Sequence, residues 1–235
     1  MEKLDLKELL DLGLHFGHLR SYSHPKAQSF VYTISNGISV IDLEKTKQGL
    51  ENAIDYVKNL AKDGKVILFI GTKRQAASII KEKAEKVGTP YIVKRFMGGT
   101  LTNFDTVLGN IKKLKSLDEE LEIKKKNKKE FSMLSREKTR LNSVLEGLVN
   151  LSKLPDALFI VDVVKEKNAV AEANTLGIPV IAIVDTNGDP SKIDYPIPAS
   201  DDSKKGVEYI VSKVIGAYSG GLKKQKTKEK KEDKK

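Results

Sequence analysis

Along this chain the spacing of apolar residues changes repeatedly, and each change marks an element. Leu4, Leu6, Leu9, Leu10 and Leu14 recur at helical spacing and predict a short amphipathic helix over 4–14. The His15-Phe16-Gly17-His18 stretch that follows has little periodicity. From Phe30 to Ile41 the pattern alternates around Asn36-Gly37, which predicts two strands joined by a tight hairpin. Leu50, Ala53, Ile54, Val57, Leu60 and Ala61 then place a helix over 44–62, ended by Asp63-Gly64.

Val66-Ile67-Leu68-Phe69-Ile70 is a continuous apolar run, as in a strand of a parallel sheet buried on both faces. A helix over about 73–87, closed by Gly88 and Pro90, and a strand over 91–93 come next. The same punctuation returns as a strand over 155–162, a helix over 165–176 and a strand over 179–185. An extended piece at 195–198 and a last helix over about 203–218 complete the series. Alternating strands and helices predict an α/β body with a mostly parallel sheet and right-handed crossovers.

Between 105 and 152 the rhythm differs. Leu108, Ile111, Leu114, Leu117 and Leu121 form one narrow seam, and Phe131, Leu134, Leu141, Val144, Leu145 and Leu148 form another. The lysine-rich break at 124–129 separates them, which predicts an antiparallel helical hairpin. Twenty residues of helix span roughly 30 Å, so such an arm reaches beyond the body. Past Gly220-Gly221 the Lys/Glu tail has no apolar content, so it is expected to be disordered until bound. The expected organisation is a body of residues 1–104 and 153–220, an inserted arm over 105–152 and a disordered tail over 221–235.

Charge sharpens this division. The net charge is +10. Residues 223–235 hold eight lysines against three acids, and residues 112–140 hold eleven Lys/Arg against six acids. The remaining residues balance at 23 of each sign, so the positive charge sits on an arm and a tail attached to a neutral body. That distribution suits a polyanion, because neutralised phosphates release condensed counterions. Cysteine is absent, which excludes disulfides, thiolate zinc sites and thiol nucleophiles. No run of about 18 apolar residues occurs, so no membrane partner is expected and a cytoplasmic protein is.

Two Gly-Thr turns carry the candidate chemistry: Gly71-Thr72-Lys73-Arg74, and Arg95-Phe96-Met97-Gly98-Gly99-Thr100-Leu101-Thr102-Asn103. Both lie at a strand exit beside basic residues, where unpaired N–H groups and cations suit phosphate on a nucleotide or along RNA. Neither is a G-x-x-x-x-G-K-[ST] loop, and no G-x-G-x-x-G occurs. Asp162 and Asp185 end strands and could meet as acid and base or hold Mg²⁺. Asp185-x-Asn187-x-Asp189 begins like a calcium loop but has Pro190 where glycine is required. His15, His18 and His24 stand without a second ligand cluster, so no metal is assigned. Aromatic residues make up 6% with no Trp, so shape and phosphate contacts are expected to dominate over base stacking.

Several landmarks in register resemble the bacterial-type ribosomal protein S-two family. They are Leu14-His15-Phe16-Gly17-His18, Asn36-Gly37-Ile38, Phe69-Ile70-Gly71-Thr72-Lys73-Arg74-Gln75-Ala76 and Gly98-Gly99-Thr100-Leu101-Thr102-Asn103. Leu154-Pro155-Asp156-Ala157, Glu172-Ala173, Leu176-Gly177-Ile178-Pro179-Val180, Asp185-Thr186-Asn187, Ile193-Asp194-Tyr195-Pro196-Ile197-Pro198 and Asp201-Asp202 continue them. The resemblance implies a flavodoxin-like α/β/α body with an inserted helical hairpin, no catalysis and no cofactor. It also implies binding to small-subunit ribosomal RNA and neighbouring small-subunit proteins, including the largest, which captures messenger RNA.

Chosen by charge beside these motifs, the expected phosphate contacts are Lys73, Arg74, Lys94 and Arg95 on the body. Arg20 and Lys26 join them from the N-terminal segment, and Lys112, Lys113, Arg136 and Arg140 from the arm. The competing reading is an enzyme for a sugar phosphate or nucleotide, with Thr72 and Lys73 on phosphate and Asp185 as acid/base.

Overall fold

The continuous apolar runs become the central sheet. The structure, a computed structural model, describes residues 4–122 and 127–232. β4 (Ile67–Ile70), β5 (Tyr91–Ile92), β6 (Ala157–Val161), β7 (Val180–Val184) and β8 (Tyr195–Pro198) lie parallel in the order β5-β4-β6-β7-β8. Numbered within this sheet the order is 2-1-3-4-5, the flavodoxin-like doubly wound arrangement. Successive side chains point to opposite faces, which is why every position of β4, β6 and β7 is apolar and buried.

One face carries Ile67, Phe69, Phe159, Ile181 and Ile183 against α2 (Leu43–Lys62), α3 (Arg74–Val87) and α7 (Lys204–Glu232). The other carries Leu68, Ile70, Leu158, Ile160 and Ala182 against α6 (Lys167–Leu176) and the base of the hairpin helices. Those helices are α4 (Phe104–Glu122) and α5 (Lys128–Leu145), tied by a 2.6 Å contact from Lys113 Nζ to Glu137 Oε1. Val107, Ile111, Leu114 and Leu117 of α4 are buried, so the base of the hairpin completes the second helical layer. Phe131, placed in the apolar seam by its spacing, is instead 50% exposed.

A second, three-stranded antiparallel sheet lies near the N-terminus, ordered β1-β3-β2. β2 (Val31–Ser35) and β3 (Ile38–Ile41) form the expected hairpin, with Asn36 and Gly37 both at positive φ as the turn requires. β1 (Phe16–Leu19) was not legible in the sequence, because its register on β3 is broken by an irregularity. The N-terminal helix is shorter than its pattern, α1 spanning Leu6–Asp11 with Asp5 capping Lys7 N.

At the C-terminal end α7 runs through Gly220-Gly221 to Glu232. Gly221 seats against Lys58 and Ala61 of α2, and Leu222 packs on the core. Gly221 marks a close crossing of α7 over α2. The final residues of the expected tail, 233–235, lie outside the described residues.

Candidate functional site

Both Gly-Thr turns lie at the carboxyl edge of the sheet, and each already holds an anion from its own chain. Thr72 donates through its backbone N–H to Glu166 Oε1 at 3.2 Å and again through its hydroxyl. Glu166 is only 3% exposed, and burial pushes its carboxyl above the usual range despite the two bonds from Thr72. Gly71 does not open room for a ligand, because a Cβ there would meet Ile80 of α3. Its lack of a side chain serves strand-to-helix packing.

The second turn is closed more completely. Glu172 of α6 accepts from Gly99 N at 2.6 Å through Oε1. Its Oε2 accepts from Leu101 N at 2.9 Å, Thr102 N at 3.1 Å and the Thr102 hydroxyl at 3.2 Å. These N–H groups converge as they would on a phosphate, and a carboxylate stands in that position. A second anion there meets charge repulsion, and the N–H groups of Gly99, Leu101 and Thr102 are already taken. α6 and the residue before it thus supply both closures, and the loop pinned by Glu172 runs directly into α4.

Lys73 occupies the space between the strand ends. Its Nζ lies 2.6 Å from Asp201 Oδ1, 2.7 Å from Asp202 Oδ1 and 3.7 Å from Asp162 Oδ2, and its side chain is 16% exposed. Burial alone would lower the ammonium's pKa, but the hydrogen bonds to Asp201 and Asp202 outweigh it and the net shift is upward. Asp201 does not gain correspondingly. Its burial, with Asp162 and Asp185 close by, pushes its carboxyl up to about 6 against the pull of Lys73. The ammonium is outnumbered by carboxylates, so both directions hold together. Lys73 thus makes its contacts within this carboxylate cluster.

Asp162 holds φ at +70°, and its Oδ1 accepts from Val164 N at 3.1 Å and Lys165 N at 2.9 Å. Asp185, the acid/base of the enzyme reading, is 2% exposed and fully engaged. Its Oδ1 accepts from Thr186 N at 2.5 Å and lies 3.1 Å from His18 Nδ1, and its Oδ2 accepts from Asp201 N at 3.3 Å. The close Asp185 carboxylate raises the His18 pKa, offset in part by burial. His18, Asp201 and Asp202 could offer metal-ligand atoms within 4.8 Å of one another. In that space the Lys73 ammonium is the cation contacting Asp201 and Asp202.

The N-terminal segment completes the closure. His18 N donates to Thr186 Oγ1 at 2.9 Å, His24 N to Thr186 O at 2.8 Å, and Ser200 N to Leu14 O at 3.0 Å. The edge at which doubly wound sheets receive ligands is thus covered by residues 14–24. His15 stays apart from this network, with burial lowering its pKa.

The remaining expected phosphate contacts separate into two groups. Arg20, Arg74, Lys94, Arg95, Lys112, Arg136 and Arg140 are exposed. Lys26 is tied to Ser191 Oγ at 2.7 Å and Asp189 Oδ2 at 3.4 Å, and Lys113 to Glu137. Arg74, Lys94 and Arg95 share the carboxyl edge, following β4 and β5, whereas Arg136 and Arg140 lie one turn apart on α5. Glu166 and Glu172 were the residues the sequence reading missed. Glu172 falls within the Glu172-Ala173 motif, but its partners lie about 70 positions away and no local spacing signals them.

The comparisons fit this geometry. A family model described as Ribosomal protein S2 matches residues 9–221. Similar proteins include the small ribosomal subunit protein uS2 of Parabacteroides distasonis, 43% identical over 229 residues, which is 96% of this chain and 82% of the relative. That of Coprothermobacter proteolyticus is 45% identical over 224 residues, covering 94% of this chain and 84% of the relative.

Proposed function

The chain belongs to the ribosomal protein S2 family, and from that premise we propose that it is a structural constituent of the small ribosomal subunit, binding ribosomal RNA and neighbouring proteins in translation without catalysing a reaction. The observation that carries this reading is the occupation of both phosphate-like turns by Glu166 and Glu172. The N–H groups of Thr72, Gly99, Leu101 and Thr102 are already taken by carboxylates, so a substrate phosphate would have to displace Glu166 or Glu172, which counts against the sugar-phosphate or nucleotide enzyme. The exposed cations, on the rim of that edge (Arg74, Lys94, Arg95), on the N-terminal segment (Arg20) and on the arm (Lys112, Arg136, Arg140), lie where a large polyanion can reach them.

In this reading the body, residues 1–104 and 153–220, is a scaffold, and the hairpin over 105–152 is its RNA-facing arm. Arg20, Arg74, Lys94, Arg95, Lys112, Arg136 and Arg140 are the phosphate contacts, positioning the protein without reading sequence. Docking of the largest, messenger-capturing protein onto the body is the finer part of the same reading, and the cytoplasm is its place of action. Sedimentation of a cell lysate on a sucrose gradient tests it. Comigration with the small subunit at moderate salt is expected, and a free peak at the top at every salt would overturn the reading.

A further inference from the structure

Gln48, Asn52, Asp55 and Asn59 follow Lys45 at steps of three and four residues, so they stand on one stripe of α2. The stripe borders a cleft of about 590 Å³, and the opposite wall is β8, the edge strand of the parallel sheet. From Lys45 to Asn59 the helix rises roughly 21 Å, the length of about six residues of extended chain. The strand itself offers no backbone template along this side. Thr46 donates its hydroxyl hydrogen to Pro198 O, and Pro196 O lies so near Gly49 that a Cβ there would come within 2.5 Å of it. Pro196 and Pro198 bring no N–H to the edge. The cleft is therefore a side-chain surface.

Its charge is negative. Asp55 is exposed and makes no hydrogen bond or ion pair among the described residues. Asp194 accepts from Val180 N at 2.8 Å through Oδ2 and leaves Oδ1 open among them. Lys45, the only cation in the lining among the described residues, donates to Ser29 O and lies 3.8 Å from Asp42 Oδ2. Between the two carboxylate positions, Tyr56 and Tyr195 stack with ring centroids 4.0 Å apart. The amides of Gln48 and Asn52 have no partner among the described residues. Other clefts lack this combination. The cleft beside the arm, between Lys94 and the outer face of α5, has a volume of about 820 Å³ and holds two lysines and no carboxylate. In the cleft beside Tyr91, Glu146 is taken by Lys81 at 3.0 Å and Glu85 by the Tyr91 hydroxyl at 2.6 Å.

We propose that the cleft between α2 and β8 docks an extended, arginine-bearing segment of a neighbouring small-subunit protein, with its guanidinium at Asp55 and against the tyrosine pair. The proposal rests on the ribosomal reading above and gives it a protein-facing surface apart from the RNA-facing arm. A phosphate strand meets two carboxylates here and no cation that is not already bonded. Guanidinium suits the site better than ammonium, because it is planar, stacks on aromatic faces and bonds a carboxylate in a fork. The Gln48 and Asn52 amides can each donate to and accept from the backbone of an extended segment.

The test uses small subunits assembled with the full chain carrying a photo-crosslinking residue in place of Asn52, and maps the adduct by mass spectrometry. An adduct on a protein segment that contains arginine is expected. Asp55→Arg should lower its yield about tenfold, the loss of one favourable charged contact, whereas Glu51→Arg, the same change on α2 outside the lining, should not. Thermal melts verify that each variant is folded. Binding to a protein-free transcript of the small-subunit RNA should show the same salt slope for wild type and both variants. An adduct on RNA, on a segment without arginine, or none at all while the chain comigrates with the subunit would overturn the docking site and leave the ribosomal reading standing. An adduct indifferent to Asp55→Arg would do the same. So would a transcript slope that rises by about one for Asp55→Arg alone, which would assign the cleft to RNA. Failure of the wild-type chain to comigrate would overturn both.

Discussion

The carboxyl edge of the sheet and the cleft beside the arm are built from the same residue types in opposite arrangements. At the edge, Lys73 and His18 are enclosed by Asp162, Asp185, Asp201 and Asp202, and two N–H-rich turns are filled by Glu166 and Glu172. At the cleft, Lys94 and Lys138 stand among neutral donors with no carboxylate in the lining. The first region satisfies its charges internally and so fixes the fold. The second is lined by two lysines with neutral hydroxyl and amide groups. A basic residue beside a glycine turn therefore says little about binding until its counter-charge is known.

The strongest way to break this contrast is to remove the cation at the closed edge. Lys73→Met leaves buried carboxylates without their ammonium and is expected to destabilise the protein by about 3–5 kcal/mol, read from urea midpoints. Adding Asp201→Asn should recover part of that loss. If Lys73→Met instead leaves stability unchanged and weakens RNA binding, the edge is a phosphate site after all.

Next in size is the pin on the second turn. Glu172→Ala leaves the N–H groups of Gly99, Leu101 and Thr102 without their acceptor, at a cost of about 1–3 kcal/mol. Hydrogen exchange should accelerate at those amides and at the start of α4. Protection unaltered at Thr102 would show that the carboxylate does not hold the loop.

The edge should also respond to pH, and both groups involved act in the same sense. Asp201, raised to about 6, contributes stability that is fully present below the usual Asp value and lost as pH rises through 6. His18 is raised as well, so its contribution is present below its ordinary value and lost as pH rises through its folded pKa. Stability is expected to fall by about 1–2 kcal/mol between pH 5 and pH 8, and Asp201→Asn should flatten most of that fall. Asp189, held at about 2 first by the Ser191 hydroxyl, loses its contribution only as pH falls through that value and stays outside this window. A urea midpoint that rises with pH over this range would contradict the assignment.

The smallest effect on stability should come from the arm. Arg136→Glu with Arg140→Glu is expected to shift stability by no more than about 0.5 kcal/mol, since both residues are exposed. The same pair should lower the salt slope of RNA binding by about one to two. An unchanged slope would remove both from the interface.

Most of the body was legible along the chain, because strands buried on both faces give continuous apolar runs and the helices between them carry one apolar stripe. Asn36-Gly37 marked its hairpin, and Gly88 with Pro90 marked the end of α3. Elements that depend on distant partners were not legible. β1 needs β3 to pair with, and the continuation of α7 past Gly220 needs α2 to pack against. The candidate site was half legible. The turns, Lys73 and the strand-end aspartates were identifiable, but their mutual neutralisation was not.

The sequence by itself determined the α/β alternation, the lysine-rich hairpin and the family, since each is carried by local spacing or by motifs in register. Only the tertiary structure decided which cations are available to a partner. Charge balance is a property of distances in space, and the carboxylates that take Lys73 lie 89 to 129 positions further along the chain.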